Sequence, residues 1–366
     1  MSEVLGSTLL AIKRGIDEGL NLGAQLFVAR DGQTIFDDGF GNAHPGTAMT
    51  RDSINLWWSS VKPIAAVAIA QLKERGKLTY DDPVAKHIRE FAHNEKNYIS
   101  VRQLLTHTAG IRAWPIGLEL SAPWDQIITK LCAMKIEPRW EPGERAGYHG
   151  RTAWFLLAEI IRRIDGRTYD RYAREEIFLP LGMNDSWLSM PADKYQQYVA
   201  TNLLSVMCER AKPDVPCELP TQEEAALLHP GGSGRGPIRE LGRFYEMMRN
   251  RGALGDARVL NPGTAIDLVK PHRVGMFDQT FKYEMDWGLG FILNSKRDPM
   301  MPYGYGTYAS ARTFGHSGSK SSCAFCDPDH QLVVAWVCNG MPEESKHQAR
   351  QRAINEAIYE DLNLAS

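Results

Sequence analysis

The 366-residue chain shows no excess of one charge, no long apolar run and no metal-ligand spacing, and each absence removes a class of function. Its 42 Lys and Arg face 44 Asp and Glu, a formal net charge of -2. With no basic run and no zinc-finger spacing, nothing calls for a nucleic acid partner. No stretch of about 18 apolar residues is present, which argues against a membrane-spanning helix. The start, MSEVLGSTLLAIKRGIDEGL, carries Glu3 early and breaks its apolar stretch with Lys13 and Arg14. It lacks the basic start and cleavage site of a secretory leader, so a cytoplasmic protein is expected. Ten histidines include no HExxH or comparable spacing, and neither a metal nor a cofactor is expected. Cysteines are few: Cys132, Cys208, Cys217, Cys323, Cys326 and Cys338. In a cytosolic chain they read as reduced thiols. Cys323 and Cys326 have CxxC spacing but lie in an apolar, β-like run without a second pair. Strand geometry sends residues three apart to opposite faces, against a local clamp.

What is present is ordinary for a globular protein, with 43% hydrophobic and 23% charged residues. A single core usually stops growing below this length, so two packed subdomains are expected. Residues 8–20 repeat apolar positions at helical spacing. Two short apolar runs, 23–30 and 33–37, then flank Asp31-Gly32, a strong hairpin signal. Near the other end, 322–325 and 331–339 read as strands around Asp327-Pro328-Asp329, followed by a helix over about 343–362. The two ends can therefore share one sheet. Between them, helical patterns such as 154–161 and 241–248 alternate with Pro and Gly punctuation. The expected architecture is α/β (α+β), an antiparallel sheet flanked by N- and C-terminal helices with an inserted, mostly helical subdomain. Residues 1–80 and 255–366 form the sheet part, 81–254 the helical part, and the active site lies at their interface. The polar, Pro-rich stretch 191–230 reads equally as a lid or an ordinary surface excursion.

Chemistry concentrates at three places. In Trp57-Trp58-Ser59-Ser60-Val61-Lys62-Pro63, followed by an unbroken apolar run to Ala70, Pro63 is tolerated only in a first turn. A buried helix should start near Ser59 or Ser60, placing Ser59 and Lys62 one turn apart on one face. The helix N-terminus and burial both disfavour a charged ammonium, leaving Lys62 a usable base for the weakly nucleophilic Ser59 hydroxyl. Ser317-Gly-Ser-Lys320 repeats the spacing but opens no buried helix. Tyr148, in the loop 140–150 before a second buried helix, can present its hydroxyl to a lysine or simply pack at a rim. His316 sits in Thr313-Phe-Gly-His-Ser-Gly-Ser319, where glycines allow a backbone to approach a ligand closely.

Together these sites resemble the penicillin-recognising serine enzymes: class C β-lactamases, DD-peptidases and the β-lactamase-like esterases and acyltransferases. Ser59-x-x-Lys62, the Tyr148 loop and His316-Ser317-Gly318 fall in the family's order. Leu104-Leu-Thr-His-Thr-Ala-Gly-Ile111, Pro142-Gly143, Pro230-Gly-Gly-Ser-Gly234 and Leu241-Gly-Arg-Phe244 add to the likeness, which runs from about residue 20 to 345. The resemblance implies a β-lactamase/transpeptidase-like fold, Ser59 as acylated nucleophile and Lys62 as its base. It further implies Tyr148 as the second proton-transfer group, with His316 lining the site. The oxyanion hole would be the N–H groups of Ser59 and Ser319. His149, Gly150, Ser317 and Gly318 would contact substrate. His107 is expected to hydrogen-bond within a turn, and Trp57, Trp58, Trp114 and Trp287 to wall a pocket or fill the core.

One departure shapes the expected activity. The family's second motif is commonly Tyr-x-Asn, whereas this chain reads Tyr148-His149-Gly150. Loss of that amide, and of a fixed charge where His316 stands for lysine, favours ester or thioester substrates and predicts weak β-lactamase and DD-peptidase activity, within a substrate class of small esters, thioesters or amides. The leading expectation is a carboxylesterase-like serine hydrolase with a small-molecule acyl substrate. An acyltransferase or cyclase is the alternative. Beyond it stand a β-lactamase or D-amino-acid peptidase and an inactive binding homologue. Oligomeric state stays open.

Overall fold

The computed structural model describes residues 5–212 and 214–365. Helix α1 (Gly6–Asp17) leads into the hairpin of β1 (Gly23–Arg30) and β2 (Gln33–His44). Asp31 and Gly32 both adopt positive φ, 53° and 79°, the pair a two-residue hairpin turn requires. Strand β2 runs on past Asp37, where the apolar alternation stops. Gly39 makes this possible: a Cβ there would lie 2.6 Å from the Thr50 carbonyl carbon. The returning segment, with the short edge strand β3 (Thr47–Ala48), therefore packs directly on its backbone.

A 3₁₀ turn, Trp58–Val61, precedes α2 (Lys62–Glu74). The helix opens at Lys62 rather than at Ser59 or Ser60, and Pro63 occupies its first turn, where a missing N–H leaves no bond unmade. Every residue from Lys62 to Leu72 is buried, as the unbroken apolar run from Pro63 to Ala70 requires. Then follow α3 (Thr152–Asp165) and α4 (Ile238–Arg249), strands β4 (Asp286–Trp287), β5 (Ile292–Leu293), β6 (Phe314–Gly318), β7 (Ser322–Asp327) and β8 (Leu332–Cys338), and helix α5 (Glu344–Asp361).

These strands form one eight-stranded sheet in the order β4-β5-β6-β7-β8-β1-β2-β3. The chain's two ends meet where β1 pairs antiparallel with β8, Ala24 opposite Cys338 and Arg30 opposite Leu332. Strand alternation divides the core. Leu26, Val28, Phe325, Val334 and Trp336 pack with Ile12, Ile354 and Ile358 of the terminal helices. Phe27, Ala29, Ala324, Val333 and Ala335 pack on the other face with α2, α3 and α4. Each such Leu, Ile, Val or Phe side chain contributes about 1.5–3 kcal/mol by burial. Helix α4 approaches β1 closely because Gly242 has no side chain; a Cβ there would sit 2.3 Å from the Phe27 ring. Cys323 and Cys326 lie in opposite cores, as strand spacing requires.

Two cysteines depart from expectation. Cys208 and Cys217 are joined as a disulfide with Cα atoms 4.8 Å apart, while Cys132, Cys323, Cys326 and Cys338 are buried free thiols. Disulfides persist in oxidising surroundings, so the expectation of reduced thiols does not hold for this pair. No helix among the described residues is long and apolar enough to cross a membrane. The described part of the 191–230 stretch is an ordered excursion with helices Ala192–Ala200 and Gln222–Ala226. Tyr198 and Ala225 join Ile54, Met190 and Leu204 there in a small separate core.

Candidate active site

A cleft of about 230 Å³ opens beside the first turn before α2, lined by Trp58, Ser59, Tyr148, Gly150, Arg151 and His316 among others. The turn is held from several sides. Trp57 donates its backbone N–H to Gly234 at 2.8 Å and its indole N–H to Gly236 at 3.0 Å. Trp58 then adopts a left-handed φ of 49°, an uncommon conformation for a bulky residue that marks a constrained turn. Ser60 points away from the cleft: its Oγ donates to the His316 carbonyl at 3.2 Å and lies 2.9 Å from Ser322 Oγ. Ser322 Oγ donates to the Trp57 carbonyl at 2.7 Å. The ends of β6 and β7 thus clamp the turn that presents Ser59.

Lys62 is completely buried. Its Nζ lies 2.8 Å from Ser59 Oγ and donates to the Gly231 carbonyl at 2.6 Å. Burial first, and the Arg151 charge second, hold its ammonium well below the usual lysine range. Gly231 must be glycine for this contact: a Cβ would lie 2.8 Å from the Trp154 ring and 3.0 Å from Lys62 Nζ. The backbone carbonyl therefore steadies the lysine in a site that lacks the asparagine amide. Gly150, where that asparagine would stand, faces open space, and a Cβ on it would meet only Tyr148 Cε1 at 3.9 Å.

Tyr148 lies across the cleft from α2, with Lys62 Nζ 5.3 Å from its ring centroid. Its backbone N–H donates to Asp278 Oδ1 at 3.1 Å, the same oxygen that accepts from Thr280 and Phe281. Arg273 pairs with the other Asp278 oxygen at 3.0 Å in a buried ion pair. Burial raises the Tyr148 phenol above its usual range. Beneath it His107, at φ 60°, packs tilted with its ring centroid 4.7 Å from that of Tyr148. His107 is structural, but its partner is the Tyr148 loop: its Nδ1 accepts from the His149 N–H at 3.0 Å.

His149 is the first correction among the substrate-contacting candidates. It is fully buried and turns its Nε2 away from the cleft to accept from the Ile111 N–H at 3.2 Å. Gly318 is the second. It packs against the nucleophile turn instead of lining the cleft, and a Cβ there would lie 2.2 Å from the Trp57 carbonyl oxygen. Gly150, Ser317 and Ser319 do line it. His316 closes one wall with its ring 6.1 Å from that of Tyr148. Its Nδ1 lies 2.8 Å from the Ser317 carbonyl, and its buried Nε2 has no partner among the described residues. Burial, then the Lys62 charge, lowers its pKa to about 3, so it is neutral at pH 7. Trp58 lines the cleft, Trp57 and Trp287 are core, and Trp114 packs on Phe155. The second Ser-x-x-Lys match ends on a sheet turn and builds no comparable pair.

Sequence reasoning missed Gly231, Arg151, His229, Phe281 and Tyr303, all at or around the cleft. The glycine cluster 231–234, noted for its family likeness, was a usable signal, since consecutive glycines let backbone approach another group closely. Arg151 and Phe281 sit in loops whose placement is set by contacts distant in sequence, and no local pattern marks them.

Fold and site define an α/β enzyme architecture in which one antiparallel sheet and one buried helix present a serine–lysine pair. Residues 11–358 match the Beta-lactamase family model, and the chain belongs to that family. It is similar to a putative D-alanyl-D-alanine carboxypeptidase of Escherichia coli (strain K12), 24% identical, covering 89% of this chain and 81% of that protein. The esterase/beta-lactamase LipL of Mycobacterium tuberculosis is 25% identical over 87% of this chain and 77% of its own length. A penicillin-binding protein homolog from Caulobacter crescentus superposes with a TM-score of 0.80 at 27% identity, covering 97% and 98% of the two chains.

Proposed function

We propose that this chain is a serine hydrolase of the β-lactamase and esterase type, forming an acyl-Ser59 intermediate on a small ester. The observation that carries this reading is the 2.8 Å contact between Ser59 Oγ and a buried Lys62 amine whose burial disfavours the charged form. One Lys62 N–H is engaged by Gly231, which leaves the nitrogen lone pair for the Ser59 hydroxyl. Ser59 attacks the carbonyl as Lys62 takes its proton, and the N–H groups of Ser59 and Ser319 bind the developing oxyanion. Tyr148, kept as a phenol by burial, gives its proton to the leaving alkoxide, and Lys62 restores it. Water then repeats the sequence in reverse and releases the acid. Neutral His316 offers Nε2 to Tyr148 or to substrate. Glycine at 150 leaves unfilled the place where an amide-binding side chain would stand, which favours esters over amides and β-lactams. The names of the relatives, spanning esterase, β-lactamase and carboxypeptidase, accord with one acyl-enzyme chemistry on several substrates.

The test is stopped-flow hydrolysis of 4-nitrophenyl butyrate. Wild type is expected to turn over, and Ser59→Ala to lose at least about 10³-fold in kcat/KM. Turnover by a folded Ser59→Ala protein at near wild-type rate would assign the nucleophile elsewhere.

A further inference from the structure

We infer that Arg151 forms a carboxylate-recognising subsite beside Gly150, so that this enzyme favours esters carrying an anionic group. This rests on the Ser59 hydrolase reading and names its substrate class. Arg151 is the one Arg or Lys lining the cleft among the described residues, and no Asp or Glu lines it. The guanidinium also lacks a partner: among the described residues no ion pair or side-chain hydrogen bond engages it. Neighbouring arginines do find carboxylates, Arg162 and Arg163 on Glu159 and Arg112 on Glu137. What holds Arg151 is the Trp114 ring, 5.9 Å away, which orients the cation without neutralising it.

Space and polar groups for a ligand lie alongside. Gly150 leaves the adjoining wall open. His316, 1% exposed, and His229 both line the same cleft, and each has a buried Nε2 with no partner among the described residues. Each is held neutral, with a pKa near 3, chiefly by burial. They therefore add no charge to the cleft, which leaves Arg151 as its cation. Arg151 also stands at the N-terminal end of the fourteen-residue helix α3, where the helix dipole adds to its attraction for an anion. An unpaired guanidinium near a buried lysine opposes charge on that lysine. A substrate carboxylate would neutralise it, and the planar fork fits a carboxylate in two parallel hydrogen bonds.

Four esters test this. Mono-4-nitrophenyl adipate is compared with its methyl ester, and 4-carboxyphenyl acetate with its methyl ester, so the charge lies in the acyl or the leaving part. Wild type should prefer at least one anionic ester by about tenfold in kcat/KM, mostly through KM. In about 0.5 M NaCl that preference should shrink. Arg151→Met should bring the anionic-to-neutral ratio to about one, and Arg151→Lys should keep part of it. A wild-type ratio near one for both pairs, a ratio unmoved by Arg151→Met, or one indifferent to salt would overturn the subsite while leaving Ser59 catalysis standing. No hydrolysis of any of the four would overturn both. The salt series needs no variant, so a misfolded Arg151→Met protein does not shield the inference.

Discussion

Burial moves the protons of Lys62 and Tyr148 in opposite directions, one amine losing its charge and one phenol keeping its hydrogen. Lys62 acts as base only when neutral, so kcat/KM should rise with pH as it deprotonates. Its plateau should be reached well below pH 10.5, the value of a free lysine. A limb that keeps climbing to that pH would mean the ammonium is not suppressed. Lys62→Ala and Tyr148→Phe should each lower kcat/KM by at least about 10². A variant near wild-type rate would remove that residue from the proton transfers. Because the unfilled space at Gly150 accepts a Cβ without a clash, Gly150→Asn should fold. It should raise β-lactam turnover relative to ester turnover, read with nitrocefin against 4-nitrophenyl butyrate. An unchanged ratio would show that the missing amide does not set the preference.

At the scale of elements, glycines decide how closely the catalytic turn is gripped. Gly231→Ala should push the loop off Lys62 and cut activity at least about tenfold, while urea unfolding shifts by about 1–3 kcal/mol. Full activity would show that the Gly231 carbonyl is not needed. Elements with their own periodic signal were legible in the sequence: the β1–β2 hairpin from Asp31-Gly32, the α2 helix from its apolar run, and β7, β8 and α5 at the far end. The extension of β2 was not, because Gly39 joins the sheet through backbone approach rather than through apolar alternation. Nor was β6 read as a strand, since Gly315 and Gly318 interrupt its pattern and the pairing with β7 supplies what propensity does not. Ser59 and Lys62 were readable because three residues of one chain fix their separation. His149 was misassigned because a strand or loop residue's facing depends on its tertiary neighbours, here the turn at Ile111.

Across the whole molecule, several buried histidines are kept neutral around one cleft. His149 is lowered to about 4, His229 and His316 to about 3, and His107 well below its usual value, in each case chiefly by burial. All four would gain a proton on unfolding below about pH 6.5, so the unfolded state binds more protons there. Stability should therefore fall as pH drops from about 6.5 toward 4, above the range in which most carboxylates titrate. Urea midpoints at pH 7.5 and 5.0 check this: a clearly lower midpoint at pH 5.0 is expected, and an equal or higher one would contradict it. The meeting of the two chain ends in one sheet was legible from mirrored strand-and-helix patterns. The Asp278 support under Tyr148 was not, because it joins segments 130 residues apart, and Arg151 stands in a loop that no periodic signal marks.

The proposed chemistry depends on the hydroxyl of Ser59 being made reactive by the buried Lys62 amine. Labelling with a fluorophosphonate followed by peptide mass mapping tests this most directly. The adduct should map to Ser59 in the wild type and form at least about 10² more slowly in Lys62→Ala. An adduct on another residue, or labelling of Ser59 at undiminished rate without the lysine, would contradict it.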